Sequence, residues 1–147
     1  MNRLFQYKTI CILFALAFFF SASAQNKSYI NPSSVDSGGA PFSGAVLVDE
    51  TLYLSGMIGL VEGEVPDTAE EEARSLMEQF KTTLEEAGMT MDDLVSITIY
   101  CSDVSHYDAF NSVYRTYFSG NFPARAFIGS GTLLFNARFE MQGIATK

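Results

Sequence analysis

The chain has 147 residues, 48% of them hydrophobic and 14% aromatic, which suffices for one ordinary domain and leaves little room for a second. Those proportions exclude disorder, a collagen-like repeat and a disulfide-dense miniprotein. Seventeen Asp and Glu oppose nine Lys and Arg, a formal charge of −8, and this disfavours a nucleic-acid partner, which calls for clustered bases.

Residues 1–24 begin with Arg3 and Lys8, continue through the apolar run Thr9 to Phe20, and end in Ser21-Ala22-Ser23-Ala24 ahead of Gln25. This is the three-part pattern of a secretory signal peptide, with cleavage expected near Ala24. The apolar run is shorter than the roughly 20 residues needed to span a bilayer, so no membrane anchor is expected after cleavage. The exported chain, periplasmic or secreted, would keep 9 − 2 = 7 bases against 17 acids, a charge of −10. Of the two cysteines it would keep Cys101 alone, which excludes an intramolecular disulfide.

Residues 25–39 are polar and rich in Ser, Asn and Gly, and read as a leader or an edge segment, with the compact domain, 40–147, starting near Ala40. Ala45 to Val48 and Leu52 to Leu54, separated by Asp49-Glu50-Thr51, predict a β-hairpin, with Met57 to Leu60 as a further short strand. Ala73, Leu76, Met77, Phe80, Leu84 and Ala87 then recur at helical spacing; Asp67 with Glu70 predicts a capping box and Gly88 the stop. Glu70 to Glu72 read as a solvated first turn that complements the helix dipole. Val95, Ile97 and Ile99 predict the inward face of a strand. A second helix carries Tyr107, Phe110, Val113 or Tyr114, and Tyr117 or Phe118, capped by Ser105 and ended by Gly120; its aromatic stripe reads as core. Ala124 to Ile128 and Arg138 to Ala145 complete the chain as strands. The order β-β-(β)-α-β-α-β-β predicts an α+β sandwich with two helices on one face of a mixed sheet. The other face would be covered by forming an oligomer, with pockets between subunits.

No phosphate loop, dinucleotide turn, CxxC pair or HExxH helix is present, and one histidine, His106, with one distant cysteine makes no zinc site. His106 reads as a surface residue at a helix start. Arg125, between Pro123-Ala124 and Ala126-Phe127-Ile128, is a planar fork of donors in an apolar stretch, suited to capture of a carboxylate. Glu140, between Phe139 and Met141, is a second ionisable group in apolar company. From pattern alone the two could equally pair as a structural salt bridge or both lie exposed at an edge.

Pro41-Phe42 with Ser55-Gly56, the segment Asp103 to Phe118, and Phe122-Pro123-Ala124-Arg125 followed by Glu140 and Ile144-Ala145 resemble the RidA (YjgF) family of imine and enamine deaminases. The likeness runs from about Ala40 to Ala145, and its specific part is the arginine motif with an acid 140 − 125 = 15 residues later. The resemblance implies a chorismate-mutase-like α+β fold, a homotrimer with active sites between subunits, and no metal or organic cofactor. It assigns Arg125 to the carboxylate of a 2-imino or enamine acid such as 2-aminoacrylate, and Glu140 to the attacking water. Ser55, Gly56, Asn111 and the backbone of Phe127 are implied as substrate contacts, with Phe42 at the pocket. Phe42 stands where the family often has tyrosine, Phe127 where a small residue or cysteine is common, Gln142 in place of a second acid, and Leu134-Phe135 interrupts a usual Leu-Pro turn. These departures leave the substrate range open, and a non-catalytic module binding a small carboxylate in the same pocket is the alternative reading. The ribonuclease label that some family members carry fits poorly with a charge of −10.

Overall fold

The computed structural model describes residues 25–147; the signal segment expected at 1–24 lies outside the described residues. The predicted hairpin forms from β2 (Ala45–Val48) and β3 (Thr51–Ile58), and Asp49 takes the left-handed φ of 53° that suits so tight a turn. Met57 and Ile58 do not start another strand. They continue β3 beyond a bulge, where Ser55 and Gly56 together oppose Gln142 alone, so the apolar run resumes in the same sheet.

Lys27–Ile30 forms β1, the edge strand, paired antiparallel with β2. The folded unit therefore starts well before Ala40, and of the two readings of the polar segment the edge strand is the one adopted. Polar residues suit that place, because an edge strand packs on one side only. The sheet order is β1-β2-β3-β6-β4-β5, with β4 (Leu94–Cys101), β5 (Ala124–Gly129) and β6 (Phe139–Thr146). Every pairing is antiparallel except β4 with β5. The last strand thus inserts between β3 and β4, whose connection is the helix α1 (Ala69–Glu86). The second helix, α2 (Tyr107–Tyr114), connects β4 to its parallel neighbour.

Both helices lie on one face of the sheet, where Leu76, Met77, Phe80 and Leu84 of α1 and Phe110 of α2 are buried with Leu52, Ile97, Ile99, Phe139 and Met141. Val95 is exposed, contrary to the simple alternation. A register shift between Leu94 and Ser96 turns Leu94 inward and leaves Val95 outside. Both helix caps also differ from expectation. Thr68, not Asp67, caps α1: its hydroxyl accepts from Glu71 N at 3.2 Å and Glu71 Oε2 accepts from Thr68 N at 3.2 Å. The carbonyl of Asp67 is taken instead by Arg138 Nη2 at 2.9 Å, which delays the helix by one residue. Asp103, not Ser105, opens the turn before α2, its carboxylate accepting from Ser105 N at 2.8 Å.

The three glutamates of the first turn do not share one environment. Glu70 is exposed and Glu71 completes the cap, but Glu72 is fully buried, since it lies three residues after Ala69 and four before Leu76, on the apolar stripe. Its Oε1 accepts from Arg138 N at 2.7 Å and Phe139 N at 2.9 Å, and its Oε2 from Arg138 Nη1 at 2.9 Å. A buried charge so paired tethers the start of β6 to the first turn of α1. The neighbouring Gly59 is obligatory, because a Cβ there would enter the backbone carbonyl of Glu72.

Candidate active site

Arg125 emerges from β5 on the helical face, in register with Ile97 of β4. Its Nη1 donates to Asn111 Oδ1 at 2.7 Å and its Nη2 to Tyr107 Oη at 3.4 Å. The guanidinium lies 4.7 Å from the Tyr114 ring centroid, 5.8 Å from that of Tyr107 and 5.9 Å from that of Phe127. An arginine among three aromatic rings and an amide is held in one orientation while its charge stays unneutralised. Phe127 supports this arrangement by meeting Tyr107 edge-on at 5.0 Å and Phe110 at 5.7 Å. Beside the guanidinium is a cavity of about 180 Å³ that Asn111, Tyr114, Phe122 and Arg125 help to line. Burial pushes the Tyr114 hydroxyl above its ordinary pKa, and the Arg125 charge only partly offsets this.

The aromatic stripe of the second helix is therefore only partly core. Phe110 and Tyr114 are buried as expected, but Tyr114, like the exposed Tyr107, also turns its ring to Arg125. The sequence reading missed both, although their positions four residues before and three after Asn111 place all three on one helical face. His106 is half-buried rather than a free surface residue, its ring edge-on to Phe139 at 6.1 Å.

Glu140 occupies the other face. On β6 the buried residues are Phe139, Met141, Gly143 and Ala145, so the alternation sends Glu140, Gln142 and Ile144 to the side without helices. Glu140 pairs with Ile58 and Tyr100 and hangs over Gly56, where an added Cβ would collide with its Oε1. The bulge at Ser55 and Gly56 makes this approach possible. Ser55 Oγ donates to Ser43 O at 2.7 Å and Ser55 N to Gly44 O at 3.0 Å, fixing the loop that presents exposed Phe42. The structure thus brings together Ser55, Gly56 and Glu140, and separately Asn111, Arg125 and Phe127.

Within one chain these groups do not meet. Arg125 and Glu140 are two strands apart, about 10 Å across the sheet and about 10 Å along it, and on opposite faces. The structural salt bridge between them is not formed; the buried pair is Glu72 with Arg138. The sheet's open face also bears Tyr53, Ser96, Thr98, Gln142 and Ile144, around a second hollow of about 220 Å³. Among the described residues no group of three His, Cys, Asp or Glu is placed to hold a metal ion, and no helix is long and apolar enough to cross a membrane.

A six-stranded mixed sheet with two helices on one face, an unneutralised arginine beneath the helices and a carboxylate over a β-bulge on the bare side define a RidA-type α+β domain. The chain belongs to the RidA (YjgF) family: the family model described as endoribonuclease L-PSP matches residues 36–147. It is similar to the 2-iminobutanoate/2-iminopropanoate deaminase of Rattus norvegicus, 33% identical over 124 residues that make up 82% of this chain and 90% of the rat protein. The deaminase of the same name from Homo sapiens is 36% identical over 112 residues, 71% of this chain and 79% of the human one. Among solved structures, a Rid-family protein from Yersinia pestis superposes with a TM-score of 0.75 at 30% identity, covering 83% of this chain and all of that one (100%).

Proposed function

We propose that this chain is an exported, homotrimeric deaminase that hydrolyses reactive 2-imino or enamine acids to 2-oxo acids and ammonia. The observation that carries the reading is the division of the site. A clamp for a carboxylate and a carboxylate able to handle water stand on opposite faces of one sheet, each open to an approaching second copy. A bare face over six strands favours such an approach, and the deaminase names of the relatives at 33% and 36% identity agree with the chemistry.

The reaction needs little beyond placement. An iminium carbon is already electrophilic, so holding the acid and aiming a water supply most of what is required. Arg125 of one copy binds the substrate carboxylate through charge-assisted hydrogen bonds, and Asn111 and Tyr107 hold the guanidinium still. Glu140 of the neighbouring copy orients the water and takes one of its protons as the oxygen adds to the carbon, giving a carbinolamine. The same carboxylate then returns that proton to nitrogen; the C–N bond breaks, the carbinolamine hydroxyl gives its proton to the departing ammonia, and ammonium and a 2-oxo acid are left. One water is consumed for each ammonia released, and no cofactor is called for. Ser55 and Gly56 line the floor beneath Glu140, and Phe42 and Phe127 supply apolar walls.

The test is to express the chain from Gln25, generate imino acids in situ with an amino-acid oxidase, and compare imine loss with the spontaneous rate. Acceleration that disappears in Arg125→Ala and in Glu140→Gln supports the reading. A folded oligomer without acceleration overturns it, and saturable carboxylate binding without turnover would then identify a binding module.

A further inference from the structure

The cavity beside Arg125 carries more positive charge than one carboxylate needs. It is lined by Asn111, Tyr114, Arg115, Phe122, Pro123 and Arg125: two guanidinium groups and no acid, in a chain with 17 acids and nine Lys and Arg. Arg115 follows Asn111 by four residues, so it shares that residue's helical face, and it forms no ion pair with any described residue. A cation at this end of α2 also complements the helix dipole, which explains a positive charge there but not its place on the cavity wall. The second observation is independent. The Tyr114 hydroxyl is buried at this wall beside the Arg125 guanidinium, which can only donate to its oxygen, so its O–H proton has no acceptor, an arrangement that is costly unless a ligand supplies one. Asn111 Oδ1 is already used by Arg125, so the amide nitrogen is what that side chain has left to offer.

The polar groups of the cavity are therefore all donors, and two of them are charged. At about 180 Å³ the cavity is smaller than those of drug-sized ligands and fits a molecule of a few carbons. Building on the deaminase reading, we propose that the site selects 2-imino acids bearing a second anionic group, the imino dicarboxylates derived from acidic amino acids. Arg125 holds the carboxylate next to the imine, Arg115 holds the distal one, and Tyr114 donates to an oxygen between them. Phe122 and Pro123 confine the short methylene chain.

The experiment compares kcat/KM of the intact oligomer for imines generated in situ from glutamate and from alanine, in wild type, Arg115→Gln and Arg115→Lys. The expected result is a preference for the glutamate-derived imine that falls about tenfold in Arg115→Gln and is partly kept by Arg115→Lys, with the change in KM. An unchanged ratio in Arg115→Gln overturns the proposal. In parallel, glutarate and butyrate are titrated calorimetrically against the same three proteins. Should no imine be hydrolysed at all, the deaminase reading falls, and the titration still decides: weaker glutarate binding in Arg115→Gln supports the role of Arg115, and equal binding refutes it.

Discussion

Mixing two inactive variants tests whether the site is shared between copies. Arg125→Ala removes the clamp and Glu140→Gln removes the proton acceptor, and the two groups lie on opposite faces of the sheet, so each variant spoils a different half of every site. On the proposed function, a working site takes Arg125 from one chain and Glu140 from its neighbour. After equal random mixing, about half of the chains offer an intact arginine and about half of their neighbours an intact glutamate, so about one quarter of the sites are whole. The same fraction holds for any closed ring, and sedimentation, not the activity, reports the expected trimer. The variants, carrying different tags, are unfolded and refolded together; capture through both tags verifies that mixed rings have formed, and the unsorted mixture is assayed for imine hydrolysis. Each variant alone stays at the spontaneous rate, and the mixture recovers near a quarter of the wild-type rate. Background activity in verified mixed rings would refute the sharing of Arg125 and Glu140 across an interface.

Gly56→Ala places a Cβ against Glu140 Oε1, the movable end of a side chain, so the fold should stand while the carboxylate is pushed aside. Hydrolysis should fall by roughly 100-fold with little change in Tm, and full activity would show that Glu140 is not held where the reaction needs it. Glu72→Ala leaves the N–H groups of Arg138 and Phe139 without their acceptor and the Arg138 guanidinium without its counter-charge. Urea titration should show a loss of about 3–5 kcal/mol, with Glu72→Gln losing less because its amide oxygen still accepts; a loss below about 1 kcal/mol contradicts the tether. Ser119 donates to Asp92 through both its hydroxyl and its backbone N–H, and holds that carboxyl below its ordinary pKa. A depressed carboxyl stabilises the fold above its unfolded pKa, and that contribution is lost as pH falls through the folded value. Ser119→Ala should therefore raise the Asp92 pKa in an NMR titration and move acid unfolding to higher pH; an unmoved pKa refutes the assignment.

The periods of the sequence were enough for the hairpin, the fourth, fifth and last strands, and both helices on one face of the sheet, because burial of apolar residues imposes them directly. What the periods missed was set by contacts distant in sequence. The cap of α1 moved to Thr68 because Arg138, 71 residues beyond Asp67, holds the Asp67 carbonyl. The first strand was obscured by polar side chains, since an edge can form by backbone pairing with few residues pointing into a core. Arg125 and Glu140 were legible as ionisable groups in apolar stretches, and the family likeness led us to expect them to act together. Their separation within one chain was not, because it depends on β4 lying between their strands and on the face each one takes.

The two glutamates Glu72 and Glu140 show why apolar company alone does not identify a reactive acid. Each has apolar neighbours, but a strand's period of two sends Glu140 out between buried Phe139 and Met141, whereas the helical period turns Glu72 inward with Ala69 and Leu76. The inward acid also governs the outward one. Its Oε1 takes the N–H groups of Arg138 and Phe139, the two residues before Glu140, and so fixes where β6 begins. A slip of one residue would exchange the two faces of that strand, burying Glu140 and exposing Phe139 and Met141. Partial loosening of the tether, as in Glu72→Gln, should thus weaken hydrolysis through Glu140 even under conditions where most of the protein remains folded. Hydrogen exchange at Arg138 and Phe139 should rise together with that loss, and a drop in activity without faster exchange there would break the link.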